Sequence, residues 1–220
     1  MAEATIAASE FIMKKIIDRL AKELRTRGPI GFLRFLALRV VQWRGDHLYE
    51  IDLHPLATLP MASNLVLVDR HSFGSEATRA VEALVLTESN LEYRDELRGD
   101  GMLFAVADEQ GQVACYGFVL FDSFYKRILG EDRRTPMISN CLTYPQFRGQ
   151  GRYPEMIRGA CRSLAQQGFE RAIITCSPQN AASVRGIEKA GFRRVKILYT
   201  LVLVTRWIAW TKTLPAPGSA

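Results

Sequence analysis

The chain has 220 residues, 48% of them apolar and 24% charged, proportions that exclude a disordered or fibrous polypeptide and suit one domain with an extension or two small ones. A formal net charge of +6 fits anionic partners, whether a polyphosphate, nucleic acid or an acidic membrane surface, without choosing among them. No apolar run reaches the ~20 residues needed to span a bilayer, and lysines and acids interrupt the apolar character of the first residues, which argues against a signal peptide. Cys115, Cys141, Cys161 and Cys176 show neither C-x-x-C nor zinc spacing with histidine. Each lies in an apolar run, so buried, reduced thiols in the cytoplasm are expected, and no metal.

Residues 9–27 have the pattern of an amphipathic helix. Ser9 can cap it, Ile12, Met13, Ile16, Ile17, Leu20 and Leu24 form its stripe, and Gly28-Pro29 ends it. Residues 29–43 have a second helical pattern, closed by Gly45. Both are rich in Lys and Arg. They suit either peripheral contact with an anionic inner-membrane surface through residues 9–44 or packing on the main domain or on a second subunit. The second is favoured, since basic amphipathic helices are common on soluble surfaces. Residues 47–53 then alternate as a strand. The stretch 55–63 is the best boundary, which gives an N-terminal part over 1–54, a main domain over 55–210 and a disordered tail over 211–220.

Further along, 65–69 is a strand, 76–86 a helix and 91–97 a short helix. Strands over 102–107 and 113–121 are joined by a tight hairpin at 108–111. Residues 123–135 form a basic, irregular loop. An apolar strand over 137–143 leads into Tyr144-Pro-Gln-Phe-Arg-Gly-Gln-Gly-Arg-Tyr153 and a helix over 153–165, with Pro154 tolerated in the first turn. A strand over 172–176, a helix over 181–190 with Asn180 as N-cap, and an extended stretch over 192–207 complete the order. That stretch is long enough for two strands, one of which could serve a homodimer. The order predicts an α/β (α+β) domain.

The glycine turn carries the chemistry. The first amides of a helix have no intrahelical partner and sit at its positive end, so they make an anion site. Gly149 and Gly151 let a phosphate approach the backbone, and Arg148 and Arg152 add charge. An ordinary Gly-rich turn is the competing reading. The dinucleotide fingerprint G-x-G-x-x-G fails here, because Pro154 stands where a small residue is needed and no acid ends the following strand. No G-K-[ST] triplet makes a P-loop.

Two motifs then resemble the GNAT superfamily of acyl-CoA-dependent N-acyltransferases. Gln146-Phe-Arg-Gly149-Gln-Gly151 matches its pyrophosphate signature after Thr143-Tyr-Pro145. Asn180, followed by a helix ending Glu188-Lys189-Ala190-Gly191-Phe192, matches its second. Gly117 falls where the family often has a glycine. The resemblance covers about residues 64–205 and implies a mixed central sheet flanked by helices. It implies acetyl-CoA or another acyl-CoA as co-substrate, held by Leu142, Thr143, Arg148, Gly149, Gln150, Gly151, Arg152, Tyr153, Asn180 and Ser183. It also implies transfer of the acyl group to a primary amine of a small molecule, such as an amino sugar or amino acid, with no nucleic acid involved.

The catalytic half departs from the pattern. The family's usual tyrosine, seven residues after the Asn, is Ile187 here. Catalytic candidates are therefore Asn140, Cys141, Ser183 and Tyr199, with Tyr144 a further replacement acid. Asn140 and Ser139 are polar in a strand that should be apolar, which makes them pocket candidates. His71, Glu109 and Asp122 are weak candidates for a base. The alternative is a non-catalytic or regulatory acyl-CoA-binding protein, which Ile187 and the basic helices suggest.

Overall fold

Runs of consecutive apolar residues, too continuous for a half-exposed sheet, form the centre of the protein. In Met102–Ala107 and Val113–Leu120 almost every residue is buried, as expected of strands covered on both faces. The computed structural model describes residues 25–26, 28–31, 41–60, 64–87, 93–203 and 210–215. The strands are β1 (Val41–Asp52), β2 (Leu65–Val68), β3 (Met102–Ala107), β4 (Val113–Leu120), β5 (Met137–Thr143), β6 (Arg171–Cys176), β7 (Arg193–Leu203) and β8 (Trp210–Pro215). The helices are α1 (Glu76–Val85), α2 (Tyr93–Arg98), α3 (Phe124–Leu129), α4 (Arg152–Gln166) and α5 (Ala181–Lys189). The sheet runs β2-β3-β4-β5-β6-β1-β7-β8. Neighbours from β2 to β5 are antiparallel, as are β6 and β1, whereas β5 and β6 are parallel. The fold is the α/β mixed sheet with flanking helices that the sequence predicts.

Two compact units divide the chain, Met1–Arg44 with Thr200–Trp210 and Gly45–Tyr199 with Thr211–Ala220. In the second, alternation along each strand fills two cores. Met102, Phe104, Val106, Cys115 and Val119 face α4, whose Met156, Ile157, Ala160, Cys161 and Leu164 are fully buried. Leu103, Ala105, Val113, Tyr116 and Phe118 form the opposite core with Val85 of α1 and Leu97 of α2. The three- and four-residue spacing on α4 accounts for its burial.

One irregularity positions everything that follows. The β4–β5 register shifts between Tyr116 and Phe118, so Asn140 and Cys141 stand opposite Gly117 as a bulge. Asn140 takes φ +46°, alone among the described non-glycine residues in having a positive φ. Asparagine tolerates that region better than most residues. The bulge presses Cys141 toward β4. A Cβ on Gly117 would lie 2.7 Å from Cys141 Sγ and 2.9 Å from Met156 Cε, so any side chain there would force both to shift. Parallel pairing of β5 with β6 covers Met137↔Ile173 and Ile138↔Ile174 and stops there. Past Ile138 the two strands part.

Several expectations are corrected. Val41–Trp43, assigned to a helix, belong to β1; most of residues 9–40, the basic helical segment, lies outside the described residues. The stretch 55–63 is strapped to α4 where it is described, with Arg162 Nη1 donating to Pro60 O at 3.2 Å and Gln166 Nε2 to Leu59 O at 3.1 Å. The irregular loop over 123–135 contains α3. Ser123 caps it by accepting from the Lys126 amide, and Gly130 ends it at φ +72°. Lys126 is 1% exposed, and its ammonium donates to Phe121 O at 2.6 Å. A lysine buried along its stem has no apolar periodicity to betray it. Residues 211–215, placed in the tail, are extended in β8. Gly117→Val should destabilise the protein by about 1–3 kcal/mol through overpacking against Cys141 and Met156, measured as a lower midpoint in urea; an unchanged midpoint would mean that the bulge does not depend on glycine at this position.

Candidate functional site

Where β5 and β6 separate, a cavity of about 210 Å³ opens between them, lined by Ser139, Asn140, Cys141, Tyr153, Cys176 and Ser183 among others. It adjoins a larger cleft of about 600 Å³ over the glycine turn, lined by Leu142, Thr143, Arg148, Gly149, Gly151 and Arg152. Cys141, Tyr153, Asn180 and Ser183 line both. The sequence-predicted positions are thus brought together. Gln150 is the exception among the ten donor-binding candidates, and its amide nitrogen bonds back to Gln146 O at 3.0 Å.

The turn has the features an anion needs. Gly149 and Gly151 adopt φ +76° and +78°, with nothing within 4 Å of where a Cβ would stand. Gly151 is the N-cap of α4 and offers no side chain to cap it. The first amides of α4 have no intrahelical partner. Arg152 Nε is buried without a partner, while Arg152 Nη1 meets Glu155 at 3.2 Å. An unsatisfied buried donor is costly unless an acceptor arrives. Arg148 folds its Nε onto Thr143 O at 3.2 Å. Arg185 and Lys189, one turn apart on α5, also line the cleft; their i,i+4 spacing after Asn180 is a legible signal that the sequence reading does not use.

Asn180 is the N-cap of α5, its Oδ1 accepting from the Ser183 amide at 3.2 Å. Ile187, by contrast, is fully buried in the core. The phenol that enters both cavities is Tyr153, from the second position of α4. Its ring packs on Gly186, where a Cβ would come within 2.3 Å. The sequence assigns Tyr153 to donor binding and misses its position between the cavities, because the contact joins α4 and α5 across residues distant in sequence. Tyr199 lies instead against Gly45 and lines neither cavity. His71 lines a separate cavity of about 440 Å³ with Gln167 and Phe169, past the C-terminal end of α4. Asp122 pairs with Arg127 at 3.6 Å, and Glu109 is exposed in the hairpin.

Burial governs the titrations here. It pushes the Tyr153 phenol well above the usual tyrosine range and the Cys141 thiol above the usual cysteine range. It raises the Cys115 thiol from 9.0 to about 11, against the opposing hydrogen bond from Thr143 Oγ1 at 3.3 Å. All four cysteines are free thiols, and Cys141 is half-buried rather than buried. Among the described residues no group of His, Cys, Asp or Glu is placed to hold a metal, and no helix is long and apolar enough to cross a membrane.

The family model for the acetyltransferase (GNAT) domain matches residues 48–193. The chain belongs to the GNAT family. Among solved structures, a protein described as a GNAT-family acetyltransferase from Novosphingobium aromaticivorans aligns at 20% identity and a TM-score of 0.45, over 73% of this chain and 65% of that one. A GNAT-family acetyltransferase from Colwellia psychrerythraea aligns at 18% identity and 0.48, over 74% and 59%. The GNAT superfamily phosphinothricin acetyltransferase from Sinorhizobium meliloti, in complex with AcCoA, aligns at 20% and 0.41, over 70% and 95%. The chain therefore spans less than two thirds of the first two. A search of curated proteins finds no match.

The raised Cys115 thiol makes a pH prediction with a definite sign. Its folded pKa lies above its ordinary value, so its contribution is complete below pH 9 and is lost as pH rises toward 11. The midpoint of urea unfolding should fall across that window. The fall should be smaller in Cys115→Ala, and an equal fall would exclude this thiol as its source.

Proposed function

We propose that the chain transfers an acetyl or other acyl group from acyl-CoA to a primary amine of a small molecule, such as an amino sugar or amino acid. The observation that carries this reading is the continuity of the glycine-turn cleft with the splay between β5 and β6. The helix start at α4, an orphaned Arg152 Nε and two open glycines fit a pyrophosphate. The narrow opening beside Asn140 and Cys141 fits a slim chain that continues from it.

Residues of this chain then divide the work. The amides of residues 149–153 and the charges of Arg148 and Arg152 bind and orient the phosphates. The exposed end of β5, Leu142 and Thr143, gives an edge for the arm beyond them. A backbone N–H between Asn140 and Leu142, beyond the last residues paired with β6, is the donor assigned to the thioester carbonyl. Asn180 and Ser183 line the arm from the α5 side. When bound, the thioester supplies an activated acyl carbon. Holding that carbon against the acceptor nitrogen is itself a large contribution to rate.

A second reading, acyl-CoA binding without transfer, is favoured by Ile187, whose buried side chain offers no proton donor. A free-thiol release assay with acetyl-CoA over a panel of primary amines separates the two. Turnover with at least one amine supports the enzyme, while CoA binding with no turnover for any amine or acyl chain supports the second reading. Gly151→Val places a β-branched residue at φ +78° and a side chain in the cleft. It should weaken CoA binding at least about tenfold by calorimetry, roughly 1.4 kcal/mol, with an unchanged circular dichroism spectrum. Unaltered affinity would reject the turn as the phosphate site.

A further inference from the structure

We infer that Tyr153 is a catalytic residue of this chain, its phenol donating the hydrogen bond that meets the charge on the departing sulfur. The inference rests on the acyl-CoA reading above and assigns a group that reading lacks. It follows from place and chemistry. A chain entering at the glycine turn and ending in the splay must pass the residues common to both cavities, which are Cys141, Tyr153, Asn180 and Ser183. Asn180 is held on the α5 cap through its carbonyl oxygen, and its amide N–H is a weaker donor than a phenol. A cysteine thiol is a weak donor. The stronger donors at the junction are the two hydroxyls, Tyr153 and Ser183.

Tyr153 is the better placed of the two, because its ring is locked. Gly186 leaves room for it between α4 and α5, since a Cβ there would enter the ring. Pro154 follows it directly and α4 begins at Arg152, so the backbone that carries it is set by the same turn that would bind the phosphates. A donor and an anion site built on consecutive residues keep a constant separation, which is what positioning requires. Burial keeps the phenol protonated, so it gives a hydrogen bond and does not act as a base. Ile187 stays in the core and does not compete.

In the transfer, the acceptor nitrogen forms a bond to the acyl carbon and the carbon–sulfur bond breaks. The bonding pair goes to sulfur, and the proton lost by nitrogen passes to solvent. The Tyr153 O–H lowers the cost of the sulfur charge while the thiolate leaves, and the thiolate takes a proton from water afterwards. No oxidant or reductant enters.

Tyr153→Phe tests this with two readouts. The first is affinity by calorimetry for CoA and for desulfo-CoA. The wild type should prefer CoA, and the variant should lose that preference while keeping its affinity for desulfo-CoA within about twofold. The second is steady-state kinetics on an accepted amine, where kcat should fall about 10²-fold with KM little changed, the scale of a lost proton-donor contribution. Gly186→Ala, which must push the ring aside without removing the hydroxyl, should lower kcat in the same direction. An unchanged CoA preference and kcat in Tyr153→Phe would overturn the assignment. So would a loss seen in Ser183→Ala and not in Tyr153→Phe. Failure of the wild type to bind either CoA or desulfo-CoA would overturn the acyl-CoA reading and the assignment together.

Discussion

The bulge at Asn140 and Cys141 is the constraint on which the rest of the site depends. A parallel pair of strands in register would run side by side to the end and leave no gap. Here one extra residue on β5 changes its course after Ile138, and the pairing with β6 stops. The bulge exists because two local conditions meet. Asn140 can hold φ +46° at modest cost, and Gly117 across the strand leaves the space into which Cys141 is pushed.

The second dependence is between α4 and α5. The glycine turn fixes where α4 starts, and the start of α4 fixes where Tyr153 points. Gly186 on α5 accepts its ring, and Asn180 fixes where α5 starts. The two helices therefore share one set of contacts that lines the cleft and the splay together. This explains how the chain can carry a buried Ile187 and still present a phenol at the junction: the polar group arrives from the neighbouring helix. The same coupling ties the proposed phosphate turn to the geometry of the passage, because both are set by residues 149–153.

Much of this architecture is legible in the amino-acid sequence alone. Met137–Thr143 matches its predicted bounds, and α4, α5, β3, β4 and β6 agree with theirs to within two residues. These are segments where periodicity, a cap or a glycine stop is written into neighbouring residues. The glycine turn is legible for the same reason, since Gly149, Gly151 and the helix after them lie within one short stretch. Local patterns fail where neighbours mislead. Residues 123–135 look like a charged loop, yet they contain α3, capped by Ser123 and ended by Gly130, with Lys126 turned inward onto the Phe121 carbonyl. Val41–Trp43 continue a helical pattern, yet they are drawn into β1. Tyr199 has the chemistry of a proton donor, but it lies on β7 against Gly45, away from both cavities.

By itself, then, the sequence determined the elements, the turn that can hold a phosphate and the two motifs of the family, because each is a property of residues close together in the chain. It also exposed the missing tyrosine at Ile187. The splay needed β4, β5 and β6 aligned, with Gly117 opposite Cys141. The position of Tyr153 needed α4 and α5 in contact, with Gly186 beneath its ring. Both are distances between residues far apart in sequence, and no periodicity or spacing records such distances. Only the tertiary structure decided them.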